Sequence, residues 1–231
     1  MPLPRAQPPI QTRPMRLFPT LLFLAPAHWP GCTCTEIGTD KSAPPITQRF
    51  SDTFDRAALG SDWKDTSPGA YRIESGELVA RGAENHPLWL LRPIPRDARI
   101  EFDCWSTDDA GDLKVEAWGD GKSFSTDRVG AYTSTAYNFI FGGWNNTLST
   151  LARMHEHGED RQTRADIKVV KGRHYHFTIA RTGGHIDWRI DGQPFLSLDD
   201  PQPLEGPDHT HFGFTDWQAE LHFDNLVITP Q

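Results

Sequence analysis

From about residue 49 to the end, apolar and polar residues alternate with a period of two, and turn-forming residues interrupt the alternation at short intervals. "AYRIESGELVARG" reads as strand, Ser-Gly turn, strand. "ARIEFDCWS", "DLKVEAWGDG", "AYNFIFGG", "TLSTLARMHE" and "AELHFDNLVITP" continue the series. A period of 3.6 is nowhere sustained. Tryptophan, β-branched residues and Gly/Pro punctuation recur throughout, so the pattern predicts an all-β, two-sheet antiparallel β-sandwich.

One hairpin can be registered from its alternation. "RHYHFTIARTGGHIDWRI" places Gly183-Gly184 between two alternating runs. Pairing Thr182 with His185 sets Ile179 opposite Trp188 and Phe177 opposite Ile190 on an apolar face. Thr178 then faces Arg189, Ala180 faces Asp187 and His176 faces Asp191 on a polar one. A second hairpin is expected in "FIFGGWNNTLSTLARMHEHGEDR", with Asn145-Asn146 as a positive-φ turn and Trp144 at its tip. Continued alternation would put Leu151, Arg153, His155 and His157 on one face of its second strand.

The first residues follow other rules. Met1 to Pro14 is proline-rich. From Met15, which is an alternative start, "MRLFPTLLFLAPAHWPGC" has a basic residue, an apolar run and small residues, as an export signal does. The run is shorter than the roughly 20 residues a membrane-spanning helix needs. Gly31-Cys32 resembles the end of a bacterial lipoprotein signal, although Trp29 stands where that pattern prefers leucine. This resemblance implies lipidation of Cys32 and a bacterial cell envelope location; cleavage after Ala27 would give a secreted protein instead. The expected organisation is an extension and signal at 1–31, a polar tether at 32–48 and the sandwich at 49–231. Losing Arg5, Arg13 and Arg16 with the leader takes the net charge from −8 to −11. That acidity argues against nucleic acid or anionic lipid as a partner and leaves the lipid anchor as the contact with the membrane. Cys104 is expected to be a small buried strand residue, and a Cys34–Cys104 bridge is the alternative.

Trp188, Asp191 and Gly192 in "HIDWRIDG", and Phe223, Asp224, Asn225 and Leu226 in "HFDNLVI", are similar to the closing strands of concanavalin A-like lectin/glucanase jelly rolls. "FSDTFDRAALGSDW" resembles their opening strand. The resemblance implies a jelly roll, a fold that hosts lectins, glycosidases, lyases and non-catalytic modules. Laminarinase-like members carry E-x-D-x-x-E on one strand. Here Glu101 and Asp103 are in place, but Ser106 stands where the third acid belongs. The incomplete triad leans against an enzyme. Glu101, Asp103, His155 and His176 stay as alternative catalytic residues for a glycoside hydrolase or polysaccharide lyase.

The resemblance also implies a structural calcium held by Asp224 with Asp55 or Asp52. Three H-x-H pairs, His155/His157, His174/His176 and His209/His211, each place two imidazoles on one strand face, and Asp191 is a further potential ligand beside His176. An aromatic ring beside directed polar groups suits a saccharide. The expected ligand-binding residues are therefore Trp144, Asn145, Arg153, His155, His176 and Arg189, with Trp118 and Trp217 as further platforms or core residues. The leading expectation is non-catalytic carbohydrate binding. A structural envelope module with a protein partner is a further alternative.

Overall fold

The computed structural model describes residues 43–124 and 133–231. Cys32, Cys34, the signal and most of the tether lie outside the described residues. Lys41–Gln231 form a compact unit with its own core. Burial begins at Ile46, ahead of the expected boundary at residue 49, where the Ile46 N–H donates to Pro93 O at 2.8 Å.

The strands are β1 (Phe50–Asp52), β2 (Trp63–Asp65), β3 (Tyr71–Glu74), β4 (Glu77–Ala80), β5 (Leu88–Leu90), β6 (Ala98–Ser106), β7 (Leu113–Gly119) and β8 (Thr133–Gly142). They continue as β9 (Leu148–His155), β10 (Gln162–Arg164), β11 (Tyr175–Thr182), β12 (His185–Ile190), β13 (Gln193–Asp199), β14 (His211–Thr215) and β15 (Leu221–Pro230). Sheet A is eight-stranded in the order β13-β12-β11-β6-β15-β4-β3, with β1 also on β15. Sheet B is seven-stranded in the order β10-β9-β8-β7-β14-β5-β2. Every pairing is antiparallel, and the chain crosses repeatedly between sheets, as in a jelly-roll β-sandwich. No helix among the described residues is long and apolar enough to cross a membrane.

Alternation explains the layers. In β6, Ala98, Ile100, Phe102 and Cys104 face inward, while Arg99, Glu101, Asp103 and Trp105 face out. The Gly183-Gly184 hairpin has the expected register from Phe177↔Ile190 to Thr182↔His185. Ser75 (φ 56°) and Gly76 (φ 83°) join β3 to β4 with the two positive-φ residues a tight hairpin turn demands. Between the sheets, Phe102 packs against Phe177, Phe214 and Phe223, and Trp188 against Phe139 and Phe195. Burying each such side chain contributes about 1.5–3 kcal/mol. Cys104 is buried here as a free thiol, and burial raises its pKa.

Sheet B departs from one-sided alternation. All of β7 is buried, including the outward Lys114 and Glu116. Trp89 lies flat on the outer face of this sheet: a Cβ on Gly119 would stand 2.5 Å from its ring and one on Gly213 2.9 Å away. Trp118 turns inward at a left-handed residue (φ 58°), and its Nε1–H donates to Pro95 O at 3.0 Å. It is a core residue rather than a platform.

Candidate functional site

Past Met154, whose φ of 60° breaks the alternation of β9, the chain folds back across the outer face of sheet B. Asn138 Nδ2 donates to Met154 O at 3.0 Å. Glu156 Oε2 accepts from Lys114 Nζ at 2.9 Å, and Arg161 donates to Glu156 O at 2.8 Å. From the other side of the face, Asn85 Oδ1 accepts from Lys114 Nζ at 2.7 Å. Asn85 N–H donates to Asp216 O, and the Asp216 carboxylate accepts from the N–H groups of Gly82 and Ala83 at 2.7 and 2.8 Å. Lys114 thus joins the loop after β9 to the loops before β5 and after β14.

Two carboxyl groups in this network are displaced from their ordinary range. Burial pushes Asp216 up to about 6 despite its two backbone donors and the Lys114 charge. Asp112 is pushed up to about 7, first by burial and then by the nearby charges of Glu156 and Asp216, with Lys114 opposing. Asp112 sits between two turns. Its N–H donates to Gly142 O at 3.0 Å, and the backbone of Trp217 draws its carboxyl pKa down against the burial.

Those turns carry Trp144 and Trp217, which are 37% and 40% exposed. β8 and β14 flank β7, so the two turns leave the sheet about 10 Å apart, two strand spacings. The Trp144 turn is left-handed at Trp144, Asn145 and Asn146 (φ 51°, 58° and 59°). Buried Asn146 holds it, donating to Asp109 O and Val169 O and accepting from Val169 N–H. His157 meets the Trp144 ring edge-on at 5.2 Å, and the Arg161 guanidinium lies 5.7 Å from its centre.

The expected row of Arg153 and His155 beside Trp144 does not form. Arg153 Nε donates to Asp200 Oδ2 at 3.0 Å and its Nη2 to Gln202 O at 3.2 Å, while His155 Nδ1 accepts from His157 N–H. The left-handed Met154, opposite the irregular pairing between Thr133 and Tyr137 of β8, interrupts the alternation, and His157 and Arg161 reach Trp144 instead. Asn145 is exposed, and its neighbour Asn146 makes the structural bonds. The chain signalled Lys114 and Glu116 only as charges at alternate positions of "DLKVEAWGD". Nothing local marked Glu156, Asp112 or Asp216, which are assembled by loops distant in sequence.

His176, Arg189, Glu101, Asp103 and Asp224 sit on the outer face of sheet A. Most of them gather at a groove of about 450 Å³ lined by Glu77, Asp103, Trp105, His174, His176, Asp191, Asp224 and Asn225, among others. His176 Nδ1 bonds Asp103 Oδ1 at 2.7 Å, and its N–H donates to Asp191, its expected partner across the hairpin. Glu101 pairs with Arg99 and is held below the usual carboxylate range by that bond. Arg189 pairs with Asp187. Both faces of Trp105 are covered, by His174 at 5.2 Å and by His222 at 3.8 Å. Burial, together with Glu77, Asp55 and Asp103, raises the Asp224 pKa. Asp52 is engaged by Arg56, Trp63 Nε1 and Phe54 N–H. The three H-x-H pairs lie apart: His155/His157 over sheet B, His174/His176 on sheet A, and His209/His211 near Thr135 and Gly121. Among the described residues, no group of three or more His, Cys, Asp or Glu side chains is placed to hold a metal ion.

A family model described as "Farnesoic acid 0-methyl transferase" matches residues 109–226. None of the curated proteins matches the sequence. Among solved structures, the carbohydrate binding module CBM66 from Bacillus subtilis is similar at 15% identity and a TM-score of 0.52, over 74% of this chain and 98% of that one. A Bacillus subtilis protein of unknown function with a galectin-like fold reaches 0.59 at 12% identity, over 78% and 94%. A laminarinase from Flavobacterium sp. UMI-01 reaches 0.54 at 10% identity, over 79% and 99%. At these identities the likeness shows the fold, a concanavalin A-like jelly roll.

Proposed function

Given that the chain belongs to the farnesoic acid 0-methyl transferase family, a kinship that leaves its partner open, we propose that it is a non-catalytic carbohydrate-binding β-sandwich. It takes a polysaccharide or glycan along the Trp144–Trp217 rim of sheet B. The observation that carries this reading is the pairing of two exposed indoles on either side of Asp112, above a network of amides, carboxylates and Lys114. Sugar C–H faces stack on indole rings, and sugar hydroxyls need directed donors and acceptors. The fold shared with a carbohydrate binding module and a laminarinase supports the reading. The test is a glycan array. A hit that weakens in Trp144→Ala and in Trp217→Ala, with the fold intact, supports the proposal, whereas a blank array moves the weight to a protein-binding envelope module.

The methyl transfer in the family description is not carried over. In the sheet A groove both faces of the tryptophan are already occupied, by His174 and His222, so that ring is not free to stack on a donor.

One observation favours a second reading, glycoside hydrolase or polysaccharide lyase: Asp112 and Asp216 are held near neutral pH, the range a general acid needs. Product release from a polysaccharide panel that is lost in Asp112→Asn would establish it; no turnover on the panel counts against it.

The proposal also places the protein outside the cytoplasm on a bacterial envelope, anchored through lipid on Cys32. Fatty-acid labelling that survives in Cys32→Ser would refute the anchor. Calcium at Asp224 and Asp55 is proposed as a structural ion. The raised Asp224 pKa fits a site short of positive charge, and an ion there would draw its other ligands from carbonyls and water.

A further inference from the structure

Between β10 and β11 runs the irregular segment "ADIKVVKGR", residues 165–173. Val169 is its inward anchor. The Val169 N–H and C=O bond the Asn146 side chain at 2.9 and 2.8 Å, and its Cγ2 stands 2.7 Å from where a Cβ on Gly142 would lie. With Val169 pinned, Ile167, Lys168, Val170 and Lys171 are left on the surface. Ile167 is 44% and Val170 55% exposed, and Trp144 belongs to the turn that Asn146 closes. Arg164 pairs with Asp166 and Arg173 with Asp191, whereas Lys168 and Lys171 have no ion-pair partner among the described residues.

An apolar patch carrying two uncompensated ammonium groups runs against the charge of a chain at −8. We infer that the Trp144–Ile167–Lys168–Val170–Lys171 surface docks the domain on a bilayer containing anionic lipid. Such a bilayer answers every part of the patch. Its hydrocarbon boundary takes Ile167 and Val170, its interfacial zone suits an indole, and its phosphates attract the lysines. A soluble anionic polymer would satisfy the lysines and leave both aliphatic side chains in water. Exposed Asp108 and Asp109, next to the Asn146–Val169 contact, oppose the lysines, and Asp166 is paired with Arg164; acids farther off than about 10 Å are screened by salt.

Trp144 also belongs to the proposed glycan rim, but the other four residues do not, so the two ideas fail separately. The experiment is co-sedimentation of Lys41–Gln231 with vesicles of phosphatidylcholine mixed with phosphatidylglycerol, against phosphatidylcholine alone. Selective binding to the anionic vesicles is expected, weakening as salt is raised. It should fall roughly tenfold or more in Lys168→Ala/Lys171→Ala, and it should also fall in Ile167→Ser/Val170→Ser. All four residues are exposed, so the melting temperature should not change. Equal binding to neutral vesicles, unaltered binding by both double variants, or capture by soluble anionic polysaccharide in place of vesicles would each overturn the inference. The salt series reads the wild-type protein and stands even if a variant misfolds.

Discussion

Asn146→Ala tests how the Trp144 turn is held. Asn146 is buried and makes three hydrogen bonds, two to the backbone of Val169 and one to Asp109 O. Each is worth about 1 kcal/mol net, and the Val169 N–H loses its partner in a buried place. The residue also sits at φ 59°, which asparagine tolerates better than alanine, adding about 1 kcal/mol. The expected loss is therefore about 4 kcal/mol, a large share of the roughly 5–15 kcal/mol available to a domain. Asn146→Gly relieves the backbone contribution and keeps the hydrogen-bond loss, so it should be about 1 kcal/mol less damaging. Urea unfolding of the three proteins measures this directly, with an unchanged m-value as the check on two-state behaviour. A loss in Asn146→Ala below about 1 kcal/mol, or a glycine variant worse than the alanine one, would refute the reasoning.

Asp112 and Asp216 are held above the value of about 3.9 expected in the unfolded chain, so between roughly pH 4 and 7 the folded state binds more protons and stability falls as pH rises. Urea unfolding across that range should show the decline, and Asp112→Asn should flatten its upper part. Gly119→Ala drives a Cβ to 2.5 Å from the Trp89 ring and 3.0 Å from Ala136, an overpacking that costs about 1–3 kcal/mol and should lower the melting temperature in a thermal scan. If calcium binds at Asp224, adding it should raise the melting temperature of the wild type and not of Asp224→Asn, and chelator should reverse the gain. No response to calcium would remove that proposal.

The legibility of this fold follows the range of the interactions. The Gly183-Gly184 hairpin was readable pair by pair because one face is apolar and the turn is two residues long, so a register slip would bury Arg189 and His176. The sheet partners of β6, which pairs with β11 and β15, are set by contacts distant in sequence that no local pattern encodes. The rim was partly readable. Trp144 is legible as a turn tryptophan, while its surroundings are not, because the left-handed Met154 interrupts the alternation that would put Arg153 and His155 beside it. Lys114 and Glu156 meet only because the loop after β9 folds back over the sheet, and the positive φ of Met154 is not marked by glycine or asparagine.

The most direct test of the central claim is a glycan array probed with wild-type protein, Trp144→Ala and Trp217→Ala side by side, each with a melting curve. A specific hit that both substitutions weaken without loss of stability is the expected result. A hit retained by both variants, or one abolished instead by Asp103→Asn in the sheet A groove, would contradict it.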